Sequence, residues 1–126
     1  MTALEFFREA REAARDMEST RRQLEALSRS GRAGVVERQE SRLRERIERD
    51  RNVIDRASQV LYADGGVATV LSPQHADVLW WRYLNDAPWK AVARNLGISY
   101  TTAHQLHRES LSMIDESHLI ESIRNV

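Results

Sequence analysis

The chain has no cysteine, only one lysine, and no apolar run close to the roughly 20 residues that a membrane-spanning helix needs. The missing cysteines exclude disulfides, thiolate metal sites and cysteine nucleophiles, and they fit a reducing compartment. The first residues, TALEFFREAREAARD, do not resemble a signal peptide. We therefore expect a cytoplasmic protein that does not bind membranes.

Excess charge of one sign is also missing. The 126 residues include 19 basic and 19 acidic side chains, so no overall field attracts nucleic acid, and a dedicated non-specific DNA binder would be more basic. The sequence contains no glycine-rich phosphate loop, no nucleophile elbow and no paired carboxylates in an apolar setting. These absences predict a non-enzymatic protein without catalytic residues or cofactors.

Two heptad patterns occupy the first half of the chain and predict two long helices. In each, apolar residues recur at alternating spacings of three and four, with Glu40 and Asp50 intruding in the second. The first pattern consists of Ala3, Phe6, Ala10, Ala13, Met17, Thr20, Leu24 and Leu27; the second consists of Val36, Leu43, Ile47, Ile54, Ala57 and Leu61.

Residues 28–34, SRSGRAG, contain two glycines and should stop the first helix. Equal helix lengths and a short connection favour an antiparallel coiled-coil hairpin over residues 1–63. Its seam has few bulky residues, so we expect it to pack on the C-terminal half or on a second copy. The 14 arginines and 12 acidic residues of 1–62 alternate closely, which favours a solvated face over an arm that follows phosphates.

A break at Asp64-Gly65-Gly66 predicts a linker over residues 64–71 and a second, helical domain over 72–126. Ser72 and Pro73 are suited to begin a helix running to Leu84. That helix should bury Ala76, Leu79 and Tyr83, and a helical tail follows with an apolar stripe formed by Leu111, Ile114, Leu119, Ile120 and Ile123.

The segment WKAVARNLGISYTTAHQLHR, residues 89–108, predicts two helices joined at Gly97, the second opening with Ser99. This is the pattern of a helix-turn-helix, whose second helix can enter the DNA major groove. The predicted inner face consists of Val92, Ala93, Leu96, Ile98, Ala103 and Leu106.

Residues 71–114 resemble region 4 of bacterial sigma-70-type factors, the part that reads the promoter −35 element. Trp89 and His107 are more similar to the small sigma-region-4-like regulators of phages and prophages. The matching positions are Leu71-Ser72-Pro73, Val78-Leu79, Arg82-Tyr83, Val92-Ala93, Leu96-Gly97-Ile98-Ser99, Gln105-Leu106 and Leu111.

The resemblance implies a set of base-reading residues on the second helix, and the inward positions of Ala103 and Leu106 agree with it. Gln105 suits adenine and a threonine methyl suits thymine. The implied base-reading residues are Tyr100, Thr101, Thr102, His104, Gln105 and Arg108. The candidate phosphate contacts are Arg82, Lys90, Arg94 and Ser99.

Two further pairs allow more than one interpretation. Trp80 and Trp81 are adjacent and cannot both face one core; the resemblance places Trp81 inside, so Trp80 either lies along the hairpin or anchors a partner. His104 and His107 are spaced like metal ligands, but no cysteine or convergent carboxylate accompanies them, so we predict no metal site.

The leading hypothesis is an all-α, sequence-specific transcription regulator that binds double-stranded DNA. Residues 72–114 carry four basic and three acidic side chains, a net charge of +1, so affinity should require a homodimer through the N-terminal helices or docking on RNA polymerase. The alternative is a protein-interaction or assembly module, such as a small-terminase-like subunit for phage DNA packaging.

Overall fold

A computed structural model describes residues 1–30 and 35–124, and within these ranges the protein is helical and has no β-strand. A π-helical segment, Trp80–Leu84, continues α4 without a break. The helices are α1 (Ala3–Ser30), α2 (Val35–Tyr62), α3 (Val67–Val70), α4 (Pro73–Leu79), α5 (Trp89–Leu96), α6 (Tyr100–Glu116) and α7 (Leu119–Arg124).

Helices α1 and α2 pack side by side in opposite directions. Asp16 of α1 forms a two-pronged ion pair with Arg46 of α2, and Gln23 and Leu27 lie beside Gln39 and Leu43. Every described heptad residue is buried or half-buried, and even the intruding Glu40 and Asp50 are half-buried. The described heptad positions are therefore the ones that α1 and α2 turn away from solvent.

The helix ends differ from the predicted turn. Ser28 and Arg29, expected in the turn, belong to the last turn of α1, which runs to Ser30. The hydroxyl of Ser28 donates to the Glu25 carbonyl at 3.3 Å, a contact that supports one more helical turn. The rest of the predicted turn, residues 31–34, lies outside the described residues.

One hydrophobic core joins the two halves of the chain. Phe7 is fully buried although it lies outside the heptad pattern, and its ring contacts Tyr83 with 5.7 Å between ring centroids. Ion pairs reinforce this junction, since Arg11 and Arg15 both bind Asp86, at 2.6 and 2.8 Å. The core contains Ala3, Phe6, Phe7, Ala10, Ala57, Val60, Leu61, Val67, Ala76, Leu79, Tyr83, Ile114 and Ile120.

The segment predicted as a linker, residues 64–71, contains the short helix α3, and Val67 is fully buried in the common core. The chain turns sharply before it. A Cβ atom on Gly66 would lie 2.6 Å from the carbonyl oxygen of Val60 and 2.9 Å from that of Ala63. Only glycine fits this close approach of two backbone segments, which seats α3 against the end of α2.

The helix predicted from Pro73 to Leu84 is present, but its second half has π-helical geometry. Ser72 caps it, accepting the backbone N–H of His75 at 3.2 Å, and Ala76, Leu79 and Tyr83 are buried as predicted. Trp80 and Trp81 both lie in this π-helical segment and face different clusters.

The predicted C-terminal tail is divided into two helices. α6 ends at Glu116, and His118 has a positive φ of 53° before α7 begins. Ile114 and Ile120 are buried in the main core, while Leu111, Leu119 and Ile123 pack against it. No helix in the described part has both the length and the apolar character needed to cross a bilayer.

Candidate nucleic-acid interface

Helices α5 and α6 are joined by a short turn whose geometry depends on Gly97. This residue has a φ of 66°, in the left-handed region, and its N–H donates to the Arg94 carbonyl at 3.2 Å. The next N–H, of Ile98, donates to the Ala93 carbonyl at 3.0 Å. These bonds end α5 and set the angle at which α6 leaves.

Ser99 begins α6, as the sequence predicts. Its side-chain oxygen accepts the N–H of Thr102 at 3.0 Å and its hydroxyl donates to the Thr102 side chain at 2.8 Å. One face of the helix pair is apolar: Val92 and Ala103 are fully buried, and Leu106 packs on a small cluster that includes Val78. The opposite face of α6 is therefore held outward by packing.

We call the outward surface of α6 the reading face and define it as Tyr100, Thr101, Gln105 and Arg108. All four are exposed, and Tyr100 retains 54% of its surface. Thr102, also predicted to read bases, is half-buried and engaged with Ser99. The structure thus brings four of the six predicted base-reading residues onto one open surface.

His104 is placed differently from the prediction. Its ring lies between Trp89 and Tyr100, with centroid distances of 4.1 and 4.4 Å, and its Nε2 atom is buried without a hydrogen-bond partner in the described residues. We call Trp89, His104 and Tyr100 the aromatic stack. In this arrangement His104 supports the ring of Tyr100 from below instead of presenting Nε2 to a ligand.

His107 lies beneath the aromatic stack in a more buried position. Its Nε2 shares a hydrogen bond of 2.7 Å with the hydroxyl of Tyr83, and its ring meets Trp89 edge-on at 4.9 Å. The pKa of His107 is lowered to about 4, mainly by burial and in addition by the neighbouring His104, Arg82 and Arg108. The imidazole is therefore neutral at physiological pH.

The four predicted phosphate contacts fall into two groups. Lys90 and Arg94 are exposed on α5. Arg82 is instead engaged within the protein, because its guanidinium donates to the Ala87 carbonyl at 3.2 Å and lies 4.9 Å above the Trp89 ring. Burial lowers the pKa of Arg82, and the nearby Arg11 adds to this effect. Ser99 serves as the helix cap.

Trp80 is half-buried and packs on the main core, in edge contact with Trp81 at 5.1 Å. It lines a surface groove together with Met17 of α1 and Ile54 of α2. Of the two interpretations of Trp80, the structure matches the one in which the ring lies along the hairpin.

A hydrogen-bonded chain of four side chains was not foreseen from the sequence. Ser72 Oγ lies 2.6 Å from His75 Nδ1, and His75 Nε2 lies 2.7 Å from Glu109 Oε2. The other oxygen of Glu109 accepts a hydrogen bond of 2.9 Å from Nε2 of Gln105 on the reading face. The i,i+4 spacing of Gln105 and Glu109 was the available signal, whereas His75 is 34 positions away.

Among residues 1–30 and 35–124, no three histidine, aspartate or glutamate side chains come together as metal ligands. No protein-family model matches the chain, and neither a curated protein nor a solved structure matches it.

Proposed function

We propose that the protein is a sequence-specific DNA-binding transcription regulator of the cytoplasm. In this proposal α5 and α6 form a helix-turn-helix similar to sigma factor region 4, and α1 and α2 form a coiled-coil hairpin that supports it. The protein has no catalytic role and no cofactor in this account.

The observation that carries the proposal is the division of α6 into two opposed faces. Ala103 is buried and Leu106 packs inward, while the reading face points to solvent. This face begins directly after the turn in which Gly97 ends α5 and Ser99 caps α6. An isolated α-helix with polar side chains on its free face fits the major groove, about 12 Å wide. The exposed N-terminal turn of α6 is the part that such motifs direct at base edges.

The residues of the reading face have chemistry suited to bases. The amide of Gln105 offers a donor and an acceptor to adenine, and the Thr101 methyl suits the thymine methyl. Arg108 can donate to guanine. Lys90 and Arg94, both exposed on α5, then contact the DNA backbone.

Because their surface has little net positive charge, residues 72–114 alone would bind DNA weakly. A net charge of +1 over residues 72–114 supports only a few phosphate contacts, and binding through so few contacts is weak and sensitive to salt. A second copy or RNA polymerase would supply the remaining binding energy.

Selection from random duplex DNA, with the full-length protein at two salt concentrations, tests the proposal. We expect a short enriched motif, or a palindrome if the protein is a dimer, whose affinity falls as salt rises. Recovery of DNA without any enriched motif would contradict sequence-specific reading.

A second candidate function is a protein-interaction or assembly module, such as a DNA-packaging subunit. The balanced charge of the chain favours it, because such a module need not hold DNA by itself. The mass in solution separates the two candidates: a monomer or dimer is expected for a regulator, and a large ring is expected for a packaging subunit.

A further inference from the structure

We infer that Glu109 is a positioning residue that fixes the side-chain amide of Gln105 and thereby selects adenine over guanine at one base pair. The inference rests on the proposed function. It concerns the chain of side chains Ser72, His75, Glu109 and Gln105, which we call the relay.

The relay is anchored at its inner end. The side chain of His75 is only 14% exposed, and its backbone is held in the first turn of α4 by the Ser72 cap. Because a carboxylate can only accept, Nε2 of His75 donates to Glu109, and in the neutral ring Nδ1 accepts from the Ser72 hydroxyl. Both nitrogens of His75 therefore have partners, and its ring is fixed in orientation.

Glu109 connects the fixed ring of His75 to Gln105 on the reading face. Its two oxygens have different partners, one in His75 and the other in Gln105, at 2.7 and 2.9 Å. Bonds from both partners lower the pKa of Glu109, with His75 as the larger cause. The ionised carboxylate is consequently held at both ends, although 43% of its side chain is exposed.

The bond to Glu109 limits the hydrogen-bonding groups that Gln105 can offer to a base. Nε2 has two hydrogens and Oε1 accepts. With one hydrogen committed to Glu109, one donor and one acceptor remain, which is the pair that adenine N7 and N6 require. Guanine presents two acceptors, O6 and N7, and a Gln105 held in this way has only one hydrogen left to offer.

The test uses the full-length protein and the DNA motif that it enriches, with each base pair varied in turn. We expect Glu109→Ala to reduce discrimination between adenine and guanine about tenfold at the same base pair that responds to Gln105→Ala. The double variant should lose no more than Gln105→Ala alone. Binding to a scrambled duplex should strengthen in Glu109→Ala, because a carboxylate near the phosphates is removed.

Two further variants distinguish the positioning of Gln105 from the effect of the negative charge of Glu109 on DNA affinity. Glu116→Ala removes a carboxylate about two turns further along α6 and should leave adenine discrimination unchanged. His75→Ala keeps the Glu109 charge, so it should reduce discrimination without strengthening binding to the scrambled duplex. Retention of wild-type discrimination by both Glu109→Ala and His75→Ala would overturn the inference and leave the proposed function intact.

A measurement without DNA tests the inference even if the wild-type protein enriches no motif and the proposed function fails. In NMR spectra of the free protein, the side-chain amide protons of Gln105 should be displaced from the shifts of a free glutamine, most of all the proton that is bonded to Glu109. Glu109→Ala should bring them to the values of a free glutamine, and Glu116→Ala should not. Identical Gln105 signals in the wild type and Glu109→Ala would overturn the inference independently.

Discussion

At the scale of single residues, two side chains have pKa values moved in opposite senses by their surroundings. His107, under the aromatic stack, has a pKa of about 4, because burial disfavours the imidazolium. Asp50, in the seam between α1 and α2, has a pKa raised to about 6 by burial and by the neighbouring Asp16. The two groups therefore have opposite effects on stability in the same range of pH.

For His107, the unfolded chain, with a pKa near 6.5, binds a proton more readily than the folded protein. The contribution to the free energy of unfolding is thus present above pH 6.5 and is lost as the pH falls to about 4, by at most about 3 kcal/mol. We expect the ring protons of His107 to titrate near pH 4 in NMR spectra. Titration of this ring near pH 6.5 would contradict the buried, neutral assignment.

For Asp50 the effect of pH on stability has the opposite sign, because the folded protein holds the proton of this carboxyl more tightly than the unfolded chain does. Its stabilising effect is present below about pH 4 and is lost as the pH rises through about 6. Asp50→Asn should therefore stabilise the protein relative to wild type more at pH 7.5 than at pH 4.5, as measured by urea unfolding.

Asp55→Asn, an exposed change of the same type on the same helix, is the matched control. An Asp50→Asn effect that is equal at both pH values would contradict the assignment. The other carboxyl of the pair, Asp16, has its pKa lowered mainly by Arg46, so it stays ionised over this range.

Among the elements, the turns depend on glycine for two different reasons, and this difference can be tested. Gly97→Ala should cost about 1–2 kcal/mol of unfolding free energy through backbone strain alone, since a Cβ there meets nothing within 4 Å. Gly66→Ala should cost more, although its φ of −82° is ordinary, because the Cβ would overlap two carbonyl oxygens.

Chemical denaturation of the two variants measures this order. Gly97→Asn provides a further check, because asparagine tolerates the left-handed region better than alanine and should recover part of the loss. A Gly66→Ala variant as stable as Gly97→Ala would contradict the close approach that the structure places at the end of α2.

The elements also show where sequence patterns suffice and where they do not. The heptads predict the seam because each position depends only on local periodicity, and Gly97 and Ser99 predict a turn because their chemistry is local. The π-helical segment Trp80–Leu84 has no such local signal in the sequence. His104 was expected on the outer face because helical periodicity alone places it there. Periodicity does not report that the ring of Trp89, on the preceding helix, covers it.

At the scale of the whole molecule, the common core makes both halves of the chain depend on one another. Phe7 of α1 is fully buried against Tyr83, and Ala57 and Leu61 of α2 share this core with Ile114. The sequence alone predicted segments over 1–63 and 72–126, with the hairpin packed on the C-terminal half or on a second copy. It did not identify the contacts between distant helices, because heptad and turn patterns report each helix by itself. Phe7 lies off the heptad because it serves that second contact.

One cooperative unfolding transition is therefore expected for the whole chain. All three tryptophans lie between positions 80 and 89, whereas helical residues occur in both halves, so fluorescence reports the second half and circular dichroism reports the whole chain. The two signals should give the same denaturation midpoint. Phe7→Ala should shift both together, at a cost of about 3–5 kcal/mol, and separate midpoints would contradict a common core.

The central claim, that α6 reads base edges while α5 holds the backbone, is tested most directly by comparing Gln105→Ala with Lys90→Ala on one panel of duplexes. The panel contains the enriched motif and every single base-pair change in it, at two salt concentrations. Gln105→Ala should abolish preference at one base pair and cost about 1–3 kcal/mol there. Lys90→Ala should weaken all duplexes equally and reduce the salt dependence by about one phosphate contact. Uniform weakening by both variants, with every base preference retained, would contradict the account.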